Sequence, residues 1–277
     1  MINIKATFIF FVRLLLFLKK IKMRIIKFLI GAFLLLFCAT SCKEQSSQII
    51  VEGKCIPVKA FESNDTNSAT HKIIRRAQEV IDSIKAPIIG YAESRLTAYC
   101  PESPLMNFAA DALRSTAQRH SRQKIDVAIT NKGGLRNDIA AGDITVGDIY
   151  RVFPFENTLT LLTLNGEQLL SLFNEIAVAG GEPISGAKIV ITPAGESYKV
   201  VSATVGGQNI EPQKSYCIAT SDYLSQGNDR LTTLGEAKER IILPISIRDL
   251  MIEYITDLHK QGKTLSAKED DRIEIKE

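Results

Sequence analysis

From residue 71 onward the apolar positions switch between the helical and the strand period. Ile73, Ile74, Ala77, Val80, Ile81 and Ile84 recur at three- and four-residue steps, which predicts an amphipathic helix over 71–86. The run 88–96 reads as a strand. Ser103-Pro104 then supplies a cap and a first-turn proline for a helix whose inner face is Leu105, Phe108, Ala109, Ala112 and Leu113. A short apolar strand over 125–130, a short helix over 146–153 and a strand over 157–164 follow. Asn165-Gly166 turns the chain into a helix carrying Leu169, Leu170, Leu172, Phe173 and Ile176. Segments 188–192, 199–205 and 215–219 are β-rich and joined by Gly and Pro turns, and a last helix spans 245–259. Helices and strands alternate irregularly, with strands grouped late. That pattern predicts an α+β fold, a single mixed domain with helices packed on a mostly antiparallel or mixed sheet, rather than a doubly wound parallel sheet.

The first 42 residues follow a different rule. They hold two long apolar stretches, seven basic residues and no acidic one, the composition of a targeting segment. Met23-Arg24-Ile25-Ile26-Lys27 followed by apolar residues to Cys38 is a complete signal peptide in itself, so the expected start is Met23. Residues 1–22 then read as an upstream extension. The rival reading is a membrane helix over 8–18, but those eleven residues, interrupted by Arg13, fall short of the roughly 20 that span a bilayer. Ala39-Thr40-Ser41-Cys42 resembles the lipobox of bacterial lipoproteins, in which the cysteine carries lipid. A plain secretory cleavage site is the alternative. The expected organisation is a signal peptide over 1–41, a lipidated polar tether over 42–70 that ends in the low-complexity run Glu62 to Thr70, and a folded domain over 71–277. The corresponding location is the cell envelope, lipid-anchored to the outer membrane on its periplasmic or surface-exposed face.

Removing the leader changes the electrostatics. The whole chain carries a formal charge of +3, but without the seven leader cations 27 basic residues face 31 acidic ones, a charge of −4. The basicity belongs to the leader, and no nucleic acid polymer is expected as a partner. Beyond Cys42 the cysteines are Cys55, Cys100 and Cys217, an odd number at irregular spacing that makes no disulfide framework; Cys217, in an apolar run, is expected as a buried free thiol.

Catalytic equipment is sparse. The chain has three histidines, too few for a hydrolytic metal site of the usual kind. His71 and His120 fall at exposed helix ends. Asp257-x-His259 has metal-ligand spacing but belongs to the solvated face of an amphipathic helix. Ser121 and Lys124 fit the spacing of some acyl-transfer enzymes without the accompanying motif, and no phosphate-binding glycine loop occurs. Catalytic residues, metal ligands and cofactors are therefore expected to be none, and binding is the expected activity.

Two polar loops could do the binding. After the strand ending at Thr130, Gly133 and Gly134 allow positive φ and close approach of backbone to a ligand. Arg136 offers a planar charged fork, and Asn131 both donates and accepts. A tight turn with a surface arginine explains the same residues equally well. Farther on, Phe155 lies in a proline-broken segment and Tyr223 in the loop 221–230 with Asp229. An aromatic from each loop could sandwich a flat ring.

These residues carry a resemblance. The segments "ESPLMNFAADALR" (102–114), "DVAITNKGGLRNDIAAGDITVGDIYRVFPFENTLTLLTLNGEQL" (126–169) and "SYCIATSDYLSQGNDR" (215–230) are similar, in order and spacing, to the C-terminal domain of bacterial and animal 5'-nucleotidases. In that family the α+β domain binds the nucleoside between two aromatic rings, and a separate dimetal phosphoesterase domain performs hydrolysis. The resemblance implies that Phe155 and Tyr223 stack on the base and Asn157 meets its edge. It places Asp229 on the ribose hydroxyls and Arg136 with Asn131 on the ribose or phosphate side, and it matches Gly133 and Gly134 to two of three family glycines. Departures are Lys132, Glu156, Asn228 and Arg230, each where the family has glycine, and Tyr223 where it has phenylalanine. An arginine that many members carry before "ESPLMN" has only Arg95 nearby, out of register.

The expected anchor at Cys42 leaves no room ahead of it for the catalytic domain. The reading that follows is the specificity half of a split 5'-nucleotidase, working in nucleotide catabolism with a separately encoded metallophosphatase and inactive alone. The alternatives are a stand-alone nucleoside- or nucleotide-binding lipoprotein for uptake and a non-binding interaction module.

Overall fold

The computed structural model describes residues 68–277, together with the isolated Lys19. The expected leader, the start at Met23, the lipidation at Cys42, the tether to residue 67 and Cys55 lie outside the described residues. In order, the elements are α1 (Ala69–Lys85), β1 (Ile88–Ala92), α2 (Pro104–His120), β2 (Val127–Ile129), β3 (Gly142–Thr145), α3 (Val146–Val152), β4 (Thr158–Asn165) and α4 (Gly166–Val178). Then come β5 (Ile184–Ser185), β6 (Ala187–Ala194), β7 (Ser197–Val205), β8 (Gln208–Asn209), β9 (Ser215–Ser221), β10 (Glu239–Ser246), α5 (Ile247–Lys260) and β11 (Ile273–Ile275).

A mixed five-stranded sheet of order β10-β4-β9-β2-β5 divides the core. Side chains alternate across it, as the two-residue period of a strand requires. Leu159, Leu161, Ala128 and Ala219 point to one side, where they pack with Leu105, Phe108, Ala109 and Leu113 of α2 and Leu250, Met251 and Ile255 of α5. Leu162, Leu164, Val127, Ile129 and Ile218 point to the other, against Leu169, Leu172, Phe173 and Ile176 of α4 and Ile189 and Ile191 of β6. The fold is thus α+β with a mixed sheet, as the late clustering of strands implied. A second sheet, β11-β6-β7-β8, closes the α4 side, and β1 pairs with β3 in a two-stranded ribbon.

Local signals set the helix starts. Ser103 accepts from the Met106 amide with Pro104 in the first turn, and Thr145–Asp148 and Asn165–Gln168 form reciprocal capping boxes. Asn165-Gly166 thus leads the chain into α4 as expected, with Asn165 as its cap. Other expectations are revised. The strand expected over 88–96 stops at Ala92, and Leu96 returns only as an isolated bridge to Ile139. The last helix begins at Ile247, two residues late, because residues 239–246 pair with β4. Strands β3 and β11 carried no periodic signal.

The amphipathic helix α1 forms as its period predicts, but its apolar row stays open. No residue of α1 is buried, and Ile73, Val80 and Ile84 are each more than half exposed. Cys217 is a free thiol that is half-buried instead of fully buried; burial pushes its pKa up to about 11.

Candidate functional site

The strand register brings the two polar loops together. β4 and β9 are antiparallel, with Leu159 opposite Ser221, so the chain entering β4 and the chain leaving β9 meet at one end of the sheet. β2 runs parallel to β9, so the loop after Ile129 emerges at that same end. Phe155 and Asn157 precede β4, Tyr223 follows β9, and Asn131 to Arg136 follow β2. A cavity of about 340 Å³ opens there, lined by Asn131, Gly133, Gly134, Arg136, Phe155, Asn157, Tyr223 and Asp229. Its size suits a small-molecule ligand. The two rings stay half-open to solvent, Phe155 at 47% and Tyr223 at 39%, an exposure that core packing would have removed.

Asp222, which the sequence reading passed over, joins the two aromatic walls. Its amide donates to the Thr158 carbonyl at 2.9 Å. Its Oδ1 accepts from the Thr158 amide at 3.0 Å and from the Tyr223 amide at 2.9 Å. One side chain therefore fixes the start of β4 and the residue bearing the second ring.

Beyond Tyr223 the chain curls back through a single 3₁₀ turn and three left-handed residues, Gly227 (φ 83°), Asp229 (φ 54°) and Arg230 (φ 65°). Aspartate tolerates this region; arginine does so at a cost. The curl aims Asp229 at the cavity. Tyr223 Oη donates to Asp229 Oδ1 at 2.8 Å and the buried Asn131 donates through Nδ2 to Oδ2 at 2.5 Å. The hydrogen bond to Asp229 raises the Tyr223 pKa above its ordinary value. A carboxylate has about four lone-pair sites, so Asp229 retains acceptor capacity for further donors.

The glycine loop differs from expectation. Lys132–Gly134 is a 3₁₀ turn, and neither Gly133 nor Gly134 has positive φ. The Gly134 amide is engaged by the Asn131 carbonyl at 3.0 Å. Gly134 matters for space, since a Cβ there would lie 2.8 Å from Asn131 Oδ1, whereas one on Gly133 would meet Asn131 and Asp229 at ordinary contact distance. Arg136 donates through Nη1 to the Gly133 carbonyl at 3.2 Å, and its guanidinium lies 5.9 Å from the Phe155 ring centroid. Arg95 is held by Asp138 at 2.7 Å.

Glu182 is a second residue missed from sequence. It is the glutamate of a Gly-Gly-Glu-Pro turn, and its Oε2 accepts the Lys132 amide at 2.6 Å. Burial pushes its pKa up to about 7, and the nearby Asp229 carboxylate adds to the effect against the opposing pull of the Lys132 amide. Elsewhere, His120 and Arg119 share Glu253, and Asp257 pairs with Arg119 at 3.2 Å on an exposed helix face. Among the described residues no three His, Cys, Asp or Glu side chains cluster as metal ligands.

Residues 80–236 match the model of the 5'-nucleotidase, C-terminal domain family. The trifunctional nucleotide phosphoesterase protein YfkN of Bacillus subtilis is 26% identical over 229 residues, 76% of this chain and 15% of that protein. A probable 5'-nucleotidase of Treponema pallidum is 27% identical over 175 residues, 58% of this chain and 28% of its own length. Among solved structures, the 5'-nucleotidase precursor from Thermus thermophilus superposes with a TM-score of 0.63 at 27% identity, covering 74% of this chain and 42% of that one. The chain thus spans less than half the length of each of these relatives.

Proposed function

The chain belongs to the 5'-nucleotidase, C-terminal domain family, and from that premise we propose that it is the nucleoside-binding half of a split 5'-nucleotidase. The observation that carries this reading is the convergence of Phe155 and Tyr223, 68 positions apart, on one open cavity with Asp229. A flat base slides between the two rings, with Asn157 at its edge. The ribose hydroxyls donate to the free lone pairs of Asp229, which Asn131 and Tyr223 hold in place. Arg136 stands at the rim for the ribose or phosphate side.

Hydrolysis belongs, on this proposal, to a separately encoded metallophosphatase. The chain itself is lipid-anchored through Cys42 to the outer membrane and acts there in nucleotide catabolism. A stand-alone nucleoside-binding lipoprotein for uptake shares the slot and differs only in needing no phosphatase.

Calorimetry with adenosine, uridine and AMP tests the slot. Binding by the wild type is expected, weakened by about 1–3 kcal/mol in each of Phe155→Ala and Tyr223→Ala, the range for base–aromatic stacking. No binding of any of the three refutes the slot. Phosphate release from AMP tests the split: the chain alone with divalent metals is expected to release none and to raise or redirect activity when the phosphatase is added. Hydrolysis by the chain alone overturns that part, and no effect on an added phosphatase leaves the uptake reading.

A further inference from the structure

The segment 153–157 that carries Phe155 belongs to no helix or strand, and Pro154 deprives it of one amide donor. Something other than a hydrogen-bond ladder must give it a shape. The first turn of α5 reaches beneath it. Arg248 is only 5% exposed, an unusual state for an arginine. Its Nη1 lies 3.4 Å from both the Phe153 and the Pro154 carbonyl oxygens, and Nη2 donates to Glu156 Oε1 at 2.5 Å. Its guanidinium stacks over the Tyr150 ring with the central carbon 4.0 Å from the centroid. The adjacent Ile247 amide donates to the Asn157 carbonyl at 2.8 Å. Polar contacts from two consecutive residues of α5 thus bracket Phe155 on both sides.

Stability alone does not account for this arginine. Burying a guanidinium is expensive, replacing a buried ion pair with apolar groups is often neutral or stabilising, and Nε has no partner among the described residues. Geometry does account for it: a rigid planar fork holds several acceptors at fixed angles, which an ammonium cannot.

We propose that Arg248 is the positioning residue of the nucleoside slot, setting the height and tilt of Phe155 by clamping the carbonyls of residues 153 and 154 and the carboxylate of Glu156. This rests on the reading in which Phe155 stacks on the base.

The chain contains no tryptophan, so Phe155→Trp introduces a sole indole at the wall itself. In that background Arg248→Met, Arg248→Lys and Glu156→Ala are compared with the unmodified parent. The readouts are indole anisotropy decay without ligand and the dissociation constant for adenosine from indole quenching. Arg248→Met is expected to enlarge the fast anisotropy component and weaken adenosine roughly tenfold, since small misplacements of positioned groups are costly. Arg248→Lys keeps the charge but loses the fork, and it is expected to loosen the indole nearly as much.

Glu156→Ala removes a side chain that is itself 83% exposed and leaves the two carbonyl contacts of Arg248 in place; it is expected to weaken adenosine about threefold. Should Arg248→Met fail to fold, Arg248→Lys and Glu156→Ala decide. Anisotropy unchanged in these variants overturns the proposal, whether or not affinity moves. If the parent binds no nucleoside, the stacking reading fails, while the ligand-free anisotropy still decides the role of Arg248.

Discussion

Glutamine at position 182 removes a charge while keeping the shape of the side chain and an oxygen to accept the Lys132 amide. In the folded protein the Glu182 carboxyl has its pKa raised from 4.5 to about 7. A raised value means that the folded state holds the proton more tightly than the unfolded chain. The stabilising contribution is therefore complete below about pH 4.5 and is lost as pH climbs through about 7. At about 1.4 kcal/mol per decade, the ionised carboxylate costs the folded state at most about 3 kcal/mol. Glu182→Gln is expected to match the wild type within about 1 kcal/mol at pH 5 and to exceed it by about 2–3 kcal/mol at pH 8. Urea unfolding of both proteins at several values from pH 5 to 8 measures this directly, because titrating groups that do not feel Glu182 are common to the pair and cancel in the difference. A difference that stays constant across that range would refute the assignment of a buried, proton-holding carboxyl at this turn.

Tyr223→Phe keeps the stacking ring but frees Asp229 Oδ1 from its hydroxyl donor; the adenosine dissociation constant is expected to stay within about threefold of wild type or tighten, and a loss as large as that of Tyr223→Ala would place the binding energy in the hydroxyl instead of the ring. Phe173→Ala empties a fully buried position between α4 and the sheets and is expected to cost about 3–5 kcal/mol in urea unfolding, with a residue outside the core costing far less.

Helix α2 was legible because it carried both a period and a cap, Ser103-Pro104, short-range signals that tertiary packing had no need to override; the capping boxes Thr145–Asp148 and Asn165–Gln168 emerged only with the structure. β3 and β11, four and three residues long, exist only by virtue of their partners, and no local pattern encodes a partner. β10 is an edge strand containing Pro244 and largely open on both faces, so it showed neither alternation nor an uninterrupted apolar run. In the site, the eight cavity residues could be named from resemblance, but their convergence depends on a register of β4 against β9 that the sequence does not display. Glu182, Asp222 and Arg248 stayed hidden for a common reason. A charged residue in a turn or a first helical turn ordinarily faces water, and only the packing around each of these three makes it a structural ligand.

Asp222 constrains how the mouth of this protein can move. Because a single carboxylate ties the amide entering β4 to the residue that follows β9, the backbone on the Tyr223 side cannot shift without dragging the ends of both strands with it. The Phe155 side hangs instead from the first turn of α5, so the two walls of the mouth answer to different parts of the scaffold.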